Sequence, residues 1–220
     1  MSRPRRDACL VRAGTVIDHG DGMTNTAIPI DQPIVAATAV AWPARHLARL
    51  AAVAGAAWMA LGIESIVRQD PHNYRDVLMY GPWVLLLATI VGIHQVQRHR
   101  AGRLERWGYV GMTSSMAIAL VLGILMLVGR LDGYFAMTMP VWILSMIMFG
   151  AGTARAGVFP RWMGVAIALA QPLAMATGVA LSPWIGLHER GSFSGAIAHG
   201  AVLLSIAWAA SRVTEREQQS

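Results

Sequence analysis

The chain reads as an all-α polytopic membrane helical bundle of six transmembrane helices, with both termini on the cytoplasmic side. Three observations carry that reading. The first is composition: of 220 residues, 55% are hydrophobic and 14% are charged, with mean hydropathy +0.47. A soluble domain of this length needs far more charge to cover its surface. The second is a set of six apolar runs of spanning length, at about 47–67, 77–97, 107–128, 133–153, 162–182 and 193–211. The run from Trp107 to Val128 has no charge, and at ~1.5 Å per residue it crosses a hydrocarbon core of ~30 Å. The third is the placement of arginine. The stretch Gln97-Arg98-His99-Arg100-Ala101-Gly102-Arg103-Leu104-Glu105-Arg106 sets four arginines between two of the runs, and short basic hairpins are held on the cytoplasmic side. With that hairpin inside, fourteen of the 18 arginines fall on the cytoplasmic side and four, Arg68, Arg75, Arg130 and Arg190, on the other.

Taken in order, residues 1–45 form a polar, largely disordered cytoplasmic arm. Met1–Gly22 is mixed in charge and without periodicity, which favours disorder. Arg3, Arg5 and Arg6 imitate the start of a secretory signal, but no apolar core follows them, and Met23 is an alternative start. The segment 27–43, broken by Pro29 and Pro33 and closed by Pro43, either lies along the membrane surface or is a loose arm. The six-helix domain occupies 46–211. Its first span carries Ala51 and Gly55 in a small-xxx-small spacing, which lets helix backbones approach closely in lipid. The second opens on Tyr80-Gly81-Pro82-Trp83, with proline harmless in a first turn and the aromatics suited to the interface. The third begins at Trp107 and Tyr109, the fourth contains Pro140, and the fifth carries Gln171-Pro172 near its middle. The sixth holds Gly195, Ala196 and His199 and ends near Trp208, leaving 212–220 as a cytoplasmic tail.

Composition also excludes. All 18 basic residues are arginine, so no Schiff-base lysine and no Gly-Lys-Ser/Thr phosphate loop is available. Absence of lysine beside abundant alanine, glycine and arginine points to a GC-rich bacterial genome, and hence to a plasma (inner) membrane. The pI near 10.6 needs no nucleic-acid partner, because topology alone places the cations at one side; the lipid bilayer is the partner it implies. Cys9 is the single cysteine, so no internal disulfide or Cys-x-x-Cys pair exists. Phe159-Pro160-Arg161-Trp162-Met163-Gly164 resembles helix openings in uncharacterised small multi-pass bacterial membrane proteins. That resemblance covers six residues and implies no activity.

An ionisable residue inside a span is the best pointer to function in such a chain. Glu64 lies ~5 Å and His199 ~9 Å from the outer edge by helical rise, and both share stripes with small residues. They form a candidate transport pair if the first and sixth spans are neighbours; the plainer alternative gives Glu64 to the surface and His199 one structural hydrogen bond. His94, ~22 Å deep, is read with Gln95, Gln97 and His99 as a helix end turning polar. Ser114, Ser115, Ser145 and Gln171 make a candidate mid-membrane polar tier, lining a solute path or tying helices together. Ser194-Gly195 and Ala198-His199-Gly200 look like fragments of the rhomboid protease pattern, but Ser194 and His199 share one helix at i, i+5, about 140° apart by helical twist, where rhomboids use two helices. No His-Glu-x-x-His occurs, and Met112 and Met116 at i, i+4 resemble a copper-transporter spacing that ordinary packing also explains. No metal or cofactor is expected. The expected function is a non-catalytic membrane component acting through a membrane-protein partner, lipid or its own copies; the alternative is a small-solute or proton-coupled transporter using Glu64 and His199, and an intramembrane enzyme is the third.

Overall fold

A computed structural model describes residues 33–67, 77–128, 135–184 and 195–219. They form six helices, α1 (Pro33–Val67), α2 (Tyr80–Gln97), α3 (Arg103–Leu127), α4 (Phe135–Ala156), α5 (Arg161–Leu181) and α6 (Ala196–Gln219). Among the described residues there is no strand. Five of the helices are long and apolar enough to cross a membrane, over Ala44–Val67, Arg103–Leu127, Thr138–Ala156, Arg161–Leu181 and Ala196–Arg216. The sixth is α2, read from the sequence as the second span. Its 18 residues are apolar in the middle but begin Tyr80-Gly81-Pro82 and end His94-Gln95-Val96-Gln97. Those polar ends hold it below the others.

Each helix packs on its neighbours in the chain, and α6 closes on α1 in the most extensive pairing of all. The result is a ring of alternating helices. The α1–α6 seam forms where small residues allow it. Ala51 is fully buried, and a methyl group at Gly55 would come within 2.8 Å of the Leu204 side chain and 3.0 Å of the Gly200 carbonyl. Backbone approach of this kind is what the Ala51/Gly55 spacing predicts. Inside the ring, Leu47, Ile93, Met112, Phe149, Met163 and Leu203 are almost completely buried. Outside it, Val53, Val84, Ile118, Val121, Leu144 and Val179 are each more than half exposed. A bundle apolar on both its inner and outer faces is the pattern of helices surrounded by lipid rather than water.

All ten described arginines, from Arg45 and Arg49 to Arg212 and Arg216, lie at the end of the bundle that holds the α2–α3 turn. The four arginines expected at the other end lie outside the described residues, as do Cys9, Met23, Ser194 and 27–32 of the expected surface segment. Two helices run further than their sequence suggests. Residues 33–43 belong to α1, which reaches ~52 Å at 1.5 Å per residue. Residues 212–219, expected as a tail, continue α6, with Arg212 and Glu215 paired at 3.3 Å across one turn. The turn from α4 into α5 uses Gly157 in a left-handed conformation (φ 67°), which ends a helix at low steric cost.

Candidate functional site

The bundle interior holds two polar assemblies at different depths. The first is built around His199, on the inward face of α6. Its ring is 7% exposed and stacks on Trp58 of α1, centroids 5.1 Å apart and planes inclined by 25°. Trp58 is itself fixed by donating Nε1–H to the Pro82 carbonyl of α2 at 3.1 Å. The imidazole bonds the backbone of Gly195, which immediately precedes α6. His199 therefore has little freedom to rotate, and it lines a cavity of about 80 Å³.

Five helices contribute to that cavity: Trp83 and Leu86 from α2, Ser115 and Ala119 from α3, Trp142 from α4, Gln171 from α5 and His199 from α6. The Trp142 Nε1–H donates to Gln171 Oε1 at 3.1 Å, and the Ser115 hydroxyl donates to the Met112 carbonyl at 3.2 Å. A second, narrower void of about 30 Å³ shares Leu86 and His199 with the first. It continues toward the arginine end between Ile93, Met112, Phe149 and Ile206, and among the described residues His199 is its one titratable side chain. The interior is thus a short axial column, polar at one level and mostly apolar below it.

The expected residues distribute unevenly around this column. Ser115, Gln171 and His199 meet at the cavity. Ser114 is exposed on the outer face of α3, as adjacent residues on a helix point ~100° apart. Ser145 is buried against Gly111, away from the cavity lining. Glu64 is half-buried on α1 and is not among the residues lining either void. The α1–α6 contact that the pair requires is present, and the ring seen against His199 from α1 is that of Trp58. Met116 lines the cavity, while Met112 packs in the core.

The second assembly closes the arginine end, and sequence reasoning missed its centre. Glu105, in the first turn of α3, is 0% exposed, as are Gln97 of α2 and Thr153 of α4. The His94 Nδ1 lies 2.8 Å from Glu105 Oε1, and Gln97 donates Nε2–H to Glu105 Oε1 and to Thr153 Oγ1, both at 3.0 Å. The Tyr109 ring covers the imidazole, 4.0 Å away and inclined by 10°. A β-carbon at Gly152 would come within 2.5–2.6 Å of the Glu105 backbone, so glycine lets α4 press the carboxylate inward. The helix N-terminus supplies a favourable field for it. Glu105 Oε2 and Gln97 Oε1 are buried with no hydrogen-bond partner among the described residues. This clasp joins three helices. Its signal was present: His94 and Gln97 are spaced i, i+3 on one face, and Glu105 is the one acid among the arginines of the hairpin. His99, grouped with them from sequence, is exposed and contacts Arg98 instead.

Among the described residues, no three His, Cys, Asp or Glu side chains converge to hold a metal ion. No protein-family model, curated protein or solved structure matches the chain. The class defined by fold and interior is an all-helical bundle with membrane-span-like helices and a small internal cavity.

Proposed function

We propose that this chain is a multi-pass protein of a bacterial plasma membrane, with its arginine end cytoplasmic, that binds a small solute in its interior without transforming it. The observation that carries this reading is the cavity at His199, to which five helices contribute and which four polar side chains, Ser115, Thr138, Gln171 and His199, border. Small-molecule sites between bundle helices have this form: concave, mostly apolar, with a few placed polar groups. The clasp at Glu105 supports it by tying α2, α3 and α4 together between the apolar stretch and the arginines. Ser115 and His199 both border the cavity, but the Ser115 hydroxyl donates to the Met112 carbonyl and the imidazole bonds the Gly195 backbone, commitments that suit binding or passage better than covalent chemistry.

The test is solute flux or saturable binding in proteoliposomes, comparing the native chain with His199→Ala and Ala119→Phe. Loss in both folded variants supports the cavity as the working part; unchanged flux or binding in both contradicts it. Glu64→Gln in the same assay asks whether the half-buried acid of α1 takes part. A second reading, association with a membrane-protein partner or another copy, is favoured by α3. Only 22% of its apolar window is buried, the least of the five spanning helices, which leaves its outer face open to another helix.

A further inference from the structure

We infer that the cavity at His199 takes a small uncharged molecule, with an apolar body of about three to five non-hydrogen atoms and one hydrogen-bonding head, of the class of short-chain alcohols, ketones and amides. This rests on reading the cavity as a solute site and names what that site accepts.

Size sets the first limit. The volume of about 80 Å³ exceeds the ~10–15 Å³ that a single water needs and is about half of the ~150 Å³ that accommodates benzene. Lining sets the second. Leu86, Met116, Ala119 and Met139, with the indoles of Trp83 and Trp142, supply an apolar wall, and among the described residues no Asp, Glu, Lys or Arg borders the space. An ionised guest would give up its hydration and meet no counter-charge, which a site of this kind strongly disfavours.

The polar groups set the third limit. Thr138 stands at the lining with Ser115, Gln171 and His199, and the last three each spend part of their capacity on the protein. Ser115 donates to the Met112 carbonyl, which leaves the lone pairs of its oxygen. Gln171 accepts from Trp142 through Oε1, which leaves the hydrogens of Nε2. His199 uses a ring nitrogen on Gly195. A single hydroxyl, carbonyl or amide head thus finds both donors and acceptors at one level, and the rest of the guest lies against hydrocarbon and sulfur.

The experiment is photolabelling of the full chain in proteoliposomes with a butanol-sized alcohol carrying a diazirine, followed by peptide mapping. The expected adducts lie on Met116, Met139 or Trp142, and excess unlabelled butanol suppresses them at least fivefold. Ala119→Leu, which fills the space, is expected to lower them by a similar factor, and Ala119→Val, a smaller insertion, by about half. Circular dichroism and gel filtration establish that both variants are folded. A diazirine-bearing butyrate is the second probe and is expected to leave these residues unlabelled. Equal labelling by alcohol and carboxylate overturns the uncharged class while leaving the solute site in place. Adducts confined to outward side chains such as Val121 and Leu144, or cavity adducts insensitive to both Ala119 variants, overturn the class and the site together.

Discussion

Replacing His94 with alanine tests the clasp most sharply, because the partner it abandons cannot reach water. Glu105 is 0% exposed and keeps only the Gln97 amide on Oε1, with Oε2 already unpartnered. Removing one member of a buried pair costs about 3–5 kcal/mol. The His94 side chain is 19% exposed, so part of its field is screened, and a loss of about 2–3 kcal/mol is expected for His94→Ala. Some of that loss belongs to the stack on Tyr109, worth about 0.5–1.5 kcal/mol, and a double-mutant cycle separates the two. In a Glu105→Gln background the charge is gone and the stack remains, so His94→Ala should cost about 1–2 kcal/mol less than in the native chain. The assay is reversible unfolding in mixed micelles by titration with a denaturing detergent, read by far-ultraviolet circular dichroism. Equal costs in the two backgrounds would refute the pairing.

Other consequences follow from the same geometry. Gly152→Ala places a methyl against the Glu105 backbone and should destabilise the bundle by about 1–3 kcal/mol, whereas Gly81→Ala, with nothing within 4 Å of the added carbon, should be tolerated in the same unfolding assay. Gly55→Ala meets the Gly200 carbonyl at 3.0 Å and should loosen the α1–α6 seam by a similar amount, seen as faster amide exchange along both helices. Trp142→Phe removes the donor to Gln171 and should cost about 0.5–1.5 kcal/mol, with a larger proportional effect on solute binding than on stability. Solute binding at the native level in that variant would argue against an ordered polar level.

The helices themselves were legible because hydropathy and length are local properties, and the small-residue spacing of Ala51 and Gly55 identified a packing face directly. The ends of α1 and α6 were less legible. Proline at 33 and 43 reads as interruption, yet α1 spans both positions, and the charged run after Arg212 reads as a tail although ion pairing between neighbouring turns suits a helix. Of the site, Ser115, Gln171 and His199 were selected as polar residues within apolar runs, and the fold brings them to one cavity. Which of two adjacent serines faces inward depended on helix phase, set by neighbours that a single run does not specify. Glu105 was hidden by its surroundings: a carboxylate among arginines reads as surface charge, and its burial follows from α4 approaching at Gly152, far away in the chain. The polar end of α2 looked like emergence into water, where it is the inner wall of the clasp.

The most direct test concerns α2, since its crossing sets the orientation of everything else. In a Cys9→Ala background, Gly81→Cys and Gly102→Cys place one thiol at each end of α2; both glycines are exposed with open space beside them. Intact cells would be treated with a membrane-impermeant maleimide before and after permeabilisation. Labelling of the Gly81→Cys chain in intact cells, with the Gly102→Cys chain labelled only after permeabilisation, is the predicted result. Labelling of both variants from the same side would mean that α2 does not cross the membrane, and the reverse pattern would place the arginines outside; either result contradicts the account.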